Sequence, residues 1–273
     1  MFYLVIFIIL GFFSFLEITS IDHLYKRILL ITTFFILWLI AGLKFEMGGD
    51  WPAYTQFFKD VEPFDVVLTQ KAPVYSKNYM EPAYKLLNAL IKSLGGNMQL
   101  VFLVIAFINS CLFFKALRMY CVYPVLGALI YFSAVYFPLD MIAIRQAVAV
   151  QLFFVSLFFI CQRRFWPFFL TMFIAVLFHR SALLLLPLYF VIHKELNYKV
   201  YTAIFMISAA VFFLQIQWMA SLLSIVADKI GGHTGGMIRM YISSNTYGVS
   251  RVLSVGVLIN LLLFILYYRH RNE

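Results

Sequence analysis

The charges that demand an explanation are few. Asp50 follows Gly48 and Gly49, Asp140 and Arg145 flank the start of one apolar run, and His179 and Arg180 interrupt another. Arg239 comes after the glycine-rich stretch at 231–236, Arg251 opens the last apolar run, and Lys44 stands at the exit of the second. Arginines gathered at a membrane face suit an anionic headgroup, because guanidinium is permanently charged and grips phosphate oxygens in pairs. Fixed cations also stabilise the charge that a diphosphate leaving group develops as its bond breaks. A histidine beside them is suited to accept a proton from an attacking hydroxyl. The plainer reading is that Arg145 and Arg180 pair with Asp140 and Asp50, and that Lys44 and Arg251 are anchors whose heads reach the interface. From the residues alone both readings stay open.

The elements that must position these groups are set by composition. The chain has 273 residues, of which 64% are hydrophobic, 19% aromatic and 12% charged. Soluble domains carry roughly 25% charged residues, so a soluble enzyme, a disordered chain and a secreted disulfide scaffold are all excluded. A membrane core about 30 Å thick takes about 20 apolar helical residues. Apolar runs lie near 2–16, 28–43, 99–114, 123–138, 142–161, 165–178, 181–193, 200–226 and 249–268. The expected fold is therefore all-α: a polytopic integral membrane protein with about nine membrane-embedded helices, forming one transmembrane domain over 1–273. The first run lacks a basic leader and a cleavage motif, so it reads as a retained span.

Residues 165–193 have only His179 and Arg180 as charged or titratable groups before His193. As one helix the stretch would be roughly 43 Å long. A half-span hairpin with His179–Arg180 at its tip is preferred, because it keeps Lys194 and Lys199 on the inner side. Residues 44–98 form the one sizeable region between spans, an outer-face loop region with amphipathic, aromatic-rich turns. Short basic segments at Lys26/Arg27, Lys115/Arg118, Arg163/Arg164, Lys194/Lys199 and Arg269/Arg271 fall at every second boundary. If these face the cytoplasm, the singled-out charges converge on the outer face. The formal net charge of +9 is then a topology signal and calls for no nucleic acid. No G-x-x-x-x-G-K-[ST], H-E-x-x-H or G-x-S-x-G motif is present, and Cys111, Cys121 and Cys161 lack metal-ligand spacing.

Four blocks of the sequence resemble the EpsG/Wzy-type polysaccharide polymerase family. "GLKFEMGGDWPAYTQFF" at 42–58 is similar to a family signature and carries Lys44, Gly48, Asp50, Trp51 and Tyr54. "EPAYKLLNALIKSLGGNMQLVF" at 81–102 brings Glu81 and Pro82, "IRQAVAV" at 144–150 brings Arg145, and "LFHRSALLLLPL" at 177–188 brings His179 and Ser181. The family usually has arginine where this chain has Lys44, which keeps the charge and loses the bidentate fork.

The resemblance implies an O-antigen or exopolysaccharide polymerase of the bacterial inner membrane, a glycosyltransferase working on its outer face. It would join oligosaccharide repeat units carried on undecaprenyl diphosphate. His179 would orient or deprotonate the acceptor hydroxyl, and Asp50 would position sugar hydroxyls or an arginine. Arg145 and Arg180, helped by Arg239, Arg251 and Lys44, would hold the diphosphate. Trp51, Tyr54 and Glu81 would contact sugar. No metal and no cofactor is called for, because arginines supply the positive charge. Membrane lipid, a flippase and a chain-length regulator are the expected partners. Competing readings are a lipid-linked oligosaccharide flippase or transporter, a membrane O-acyltransferase that modifies surface polysaccharide, and a structural membrane subunit.

Overall fold

The computed structural model of the chain describes residues 1–19, 22–69, 80–192, 199–200, 202–203, 205–207, 217–232, 235–236 and 239. They fall in two compact units, Met1–His193 and Lys194–Glu273. Among the described residues the regular structure is helical, as the composition requires. In lipid a spanning backbone has no water to bond to, and a helix satisfies its own N–H and C=O groups.

The first unit contains α1 (Phe2–Ile18), α2 (His23–Gly42), α3 (Trp51–Asp60), α4 (Phe64–Thr69), α5 (Pro82–Ser93), α6 (Met98–Tyr120) and α7 (Pro124–Ala134). A π-helical turn at Phe137–Ile142 leads into α8 (Ile144–Cys161) and α9 (Phe165–Phe178), and a 3₁₀ turn at Arg180–Leu185 precedes α10 (Leu188–Ile192). The described part of the second unit contains α11 (Gln217–Ile230). Of these, α2, α6 and α8 are long and apolar enough to cross a membrane. Phe2–Ile18, Pro124–Ala134, Phe165–Phe178 and Arg180–Ile192 are apolar but shorter. The chain is an integral membrane protein, with three helices of spanning length among the described residues where about nine embedded ones were expected. The run expected at 200–226 is described only in part, and the one at 249–268 lies outside the described residues.

Local signals set the helix ends. Proline opens α5 and α7, where its missing N–H costs nothing. The Asn97 side chain accepts from Leu100 N at 3.0 Å and caps α6. Gly95, at φ +76°, ends α5, and the next N–H returns to Ile91 O at 2.9 Å. Glu17 performs a long-range version of the same task. From the end of α1 its carboxylate accepts from Val125 N at 3.1 and 2.9 Å and from Leu126 N at 3.1 Å, so α1 caps α7.

Two apolar cores share α6. On one side Phe102 and Ile105 of α6 pack with Tyr84 of α5, Val148 of α8 and Phe168 and Met172 of α9. On the other, Phe113 and Phe114 pack with Leu10 of α1, Leu37 of α2 and Phe132 of α7. The outward faces carry exposed Leu4, Ile8, Phe12 and Phe15 of α1 and Phe35 and Leu39 of α2, which suits a lipid surround. The chain reverses after α9, and Tyr189 returns to within 5.3 Å of both the Phe165 and Phe168 rings. The stretch expected to fold back at His179–Arg180 does so.

Among the described residues, region 44–98 holds three helices rather than turns alone, and α3 and α5 turn buried faces inward. Tyr54, Phe57, Tyr84 and Asn88 are all buried. Gly48 joins α2 to this region in the left-handed conformation, at φ +87°. A Cβ there would meet Ile142 Cγ1 of the π-helical turn at 2.9 Å. Both constraints act on one atom. Gly48→Ala is therefore expected to destabilise the first unit by about 1–3 kcal/mol, read as a lower thermal unfolding midpoint in detergent, whereas Gly49→Ala, with open space around its Cβ position, leaves the midpoint nearly unchanged.

Candidate functional site

Three elements bring their ends together at one end of the first unit. Pro82 starts α5 and fixes Glu81 as its N-cap residue. Arg145 lies in the first turn of α8. His179 is the extended residue at which α9 stops, so its side chain leaves the helix path. Glu81 is only 7% exposed, and its two oxygens divide the work. Oε2 accepts from Arg145 Nη1. Oε1 lies 3.3 Å from His179 Nδ1, at an angle that leaves Nδ1 without a well-formed hydrogen bond. Proximity to the carboxylate, more than hydrogen-bond direction, places the histidine.

Burial of Glu81 would by itself raise its pKa, but the His179 contact and the Arg145 charge outweigh it and hold the carboxyl below its usual value. Aromatic faces complete the mounting of Arg145. Its guanidinium carbon is 5.6 Å from the Tyr54 ring centre and 5.9 Å from that of Tyr84. Its Nε is buried with no hydrogen-bond partner. The guanidinium is thus anchored through one nitrogen and two ring faces, with donor capacity left over.

Lys44 and Asp140 form a separate layer behind this group. Lys44 is 4% exposed and donates to the carbonyls of Asp140 and Met141 at 3.1 and 2.8 Å. Burial lowers its pKa to about 7, against the opposing charges of Asp140 and Asp50. Asp140 accepts from Asn109 Nδ2 at one oxygen and from Tyr131 Oη, at 2.5 Å, at the other. Gln151 Nε2 donates to the same Tyr131 oxygen at 3.0 Å. A cavity of about 10 Å³ beside Lys44, Asn109 and Asp140 is near the least space that holds one water. The layer fastens the π-helical turn immediately before Arg145.

The sequence-derived candidates therefore separate. Arg145 and His179 come together, and Glu81 joins them as their shared partner. Arg145 does not pair with Asp140, whose oxygens are taken by Asn109 and Tyr131. Lys44, expected at a diphosphate, has its Nζ spent on two carbonyls inside the protein. Tyr54, expected at sugar, is 3% exposed, donates to Ile142 O at 3.4 Å and lies under Arg145. Glu81, also expected at sugar, has both oxygens engaged. Trp51 is half-buried and stacks on Phe102 with centroids 4.7 Å apart. Asp50 is half-buried at the N-terminus of α3 without capping it, within electrostatic reach of Lys44 and Tyr54. Arg180 is exposed and opens the 3₁₀ turn.

Arg239 belongs to the second unit and pairs with Asp228 there. Arg251 lies outside the described residues. Asn109, Tyr131 and Gln151 were missed by the sequence reading. The available signal was an amide in the middle of each of two apolar helices, Asn109 of α6 and Gln151 of α8, since a polar side chain inside a span needs a partner. Among the described residues no three His, Cys, Asp or Glu side chains gather as a metal site.

A family model described as the EpsG family matches residues 27–273. Neither the curated proteins nor the solved structures contain a match to the chain.

Glu81→Gln keeps the shape and removes the charge that Arg145 and His179 share, so it is expected to cost about 3 kcal/mol, the low end for breaking a buried ion pair. The pH dependence has a definite sign. A carboxyl whose folded pKa is depressed contributes its stability above its unfolded value and loses it as pH falls through the folded one. Below pH 4.5 the unfolding midpoint of the native protein should drop more steeply than that of Glu81→Gln, in melts recorded on detergent-purified protein.

Proposed function

The chain belongs to the EpsG family, and from that premise we propose that it is a polysaccharide polymerase that joins undecaprenyl-diphosphate-linked oligosaccharide repeat units on the outer face of the bacterial inner membrane. Family membership supports a polymerase type of function in general. The finer reading rests on one observation: a buried carboxylate that holds an arginine and a histidine side by side at one end of a membrane bundle.

The chemistry asks for a cation and a base within reach of one reacting bond. The acceptor hydroxyl oxygen forms a bond to the anomeric carbon of the donor chain, the carbon–oxygen bond to the lipid diphosphate breaks, and the hydroxyl proton passes to a base. In this reading Arg145 takes the diphosphate. Its remaining N–H donors stabilise the negative charge that builds on the leaving group, and Arg180, next to His179 in the chain, adds a second cation. His179 turns Nδ1 to Glu81 and offers its other ring nitrogen to the acceptor hydroxyl. Glu81 is then a positioning residue, which fixes the imidazole and stabilises it once protonated, as a carboxylate does for a catalytic histidine. Asp50 orders sugar hydroxyls at the mouth, with the half-buried Trp51 as an apolar face for a sugar ring.

A flippase would use the same cations without needing a base, and an acyltransferase would add acyl groups without lengthening the chain. Purified lipid-linked repeat units incubated with the protein and weighed by mass spectrometry separate the three: a polymerase gives products at whole multiples of the repeat mass. In cells, Arg145→Lys, His179→Ala and Asp50→Asn are expected to shorten or abolish the polymer on a gel, with the histidine variant losing about a hundredfold or more in rate. Normal polymer from all three variants would overturn the residue assignment.

A further inference from the structure

A concave site lies at the other end of the first unit, away from Glu81. α2 runs from His23 to Gly42 and α6 from Met98 to Tyr120. Gln99 Nε2 donates to Gly42 O, so those termini share the end that holds Lys44. The N-terminus of α2 and the C-terminus of α6 lie at the opposite end, about 30 Å away for a 20-residue helix. There a cavity of about 540 Å³ is lined by His23, Lys26, Arg27 and Arg118 together with Leu30, Ile31 and Val122.

The charges of this cavity do not balance internally. Among the described residues its one acid is Glu17, and both Glu17 oxygens are occupied by the backbone N–H groups of Val125 and Leu126. Lys26, Arg27 and Arg118 make no ion pair among the described residues. Among the described residues Lys26 has only the Tyr123 ring, 6.0 Å from its ammonium. Three cations elsewhere in the unit contrast with these. Lys44 donates to two backbone carbonyls and Lys92 to three, and Arg145 holds Glu81. Three cations from two helices thus face one concavity with a single spent acid and an apolar wall. Basic pockets between membrane helices take lipid phosphates.

We propose that this cavity binds the phosphodiester of an anionic phospholipid, with the guanidinium groups of Arg27 and Arg118 and the Lys26 ammonium on the phosphate and the acyl shoulder against Leu30, Ile31 and Val122. It is a lipid site at the end of the bundle remote from Glu81, and its occupant differs from the substrate proposed there.

The test uses the full chain, purified in detergent and exposed to phosphatidylglycerol or phosphatidylcholine, with retained lipid counted by native mass spectrometry. Phosphatidylglycerol is expected to be retained at least tenfold better. The triple variant Lys26→Gln, Arg27→Gln, Arg118→Gln should lose that preference. Lys115→Gln, an exposed lysine of α6 outside the cavity, should keep it, and so should the charge-preserving Lys26→Arg. Inorganic phosphate at millimolar concentration supplies the other arm. If it displaces phosphatidylglycerol and stabilises the protein by itself, the cations serve a free anion and the lipid assignment falls. Equal retention of the two lipids, or an unchanged preference in the triple variant, also overturns it.

Discussion

An unpaired charge inside a membrane bundle is too costly to persist, and the site end of this protein is organised around that cost. Glu81 is the pivot. It is buried at the start of α5, yet it stays ionised, because Arg145 and His179 reach it from α8 and α9. Each of the three would be unfavourable alone. Together they fix the termini of three helices to one another, so the constraint that makes charge expensive also makes the arrangement specific. The aromatic faces of Tyr54 and Tyr84 extend the same logic, since they flank the guanidinium without a second carboxylate that would neutralise it.

The layer behind supports this arrangement. A π-helical turn is a poor way to run a backbone through lipid unless its carbonyls find donors, and Lys44 supplies them to Asp140 and Met141. The Asp140 side chain is held in turn by Asn109 and Tyr131, and Gly48 allows the chain after α2 to lie against Ile142. Backbone geometry at 44–48 and at 137–142 therefore sets where α8 begins, and hence where Arg145 points. Lys44 and Tyr54, read from sequence as substrate contacts, bond instead to the backbone at 140–142, because a membrane interior has no water to fill the polar gaps that a bent backbone leaves.

Much of the fold was legible in the sequence. Apolar runs located α1, α8 and α9 to within two residues and α2 and α6 to within six, since spanning length is set by lipid rather than by distant contacts. The reversal at His179–Arg180 was legible for the same reason: 29 residues are too long for one span and too short for two. The pairing inside the site was not. Arg145 was weighed against Asp140, five residues away in the chain, whereas its partner Glu81 is 64 residues away. Sequence proximity suggests partners, but packing of α5 against α9 chooses them. The inward helices of region 44–98 were hidden too, because the aromatic residues that suit an interface also suit a core.

The capping of α7 by Glu17 bears on where this protein can be divided. The family likeness begins at residue 27, after α1 has ended. By that measure α1 is an appendage. Physically it is not one. Its carboxylate caps the start of a helix more than a hundred residues further on, and Leu10 fills the core beside Leu37 and Phe132. The edge of a shared ancestry and the edge of a self-sufficient fold therefore fall at different places in this chain. Shortening it to the recognisable part would remove a wall of the bundle and leave two backbone N–H groups with no acceptor.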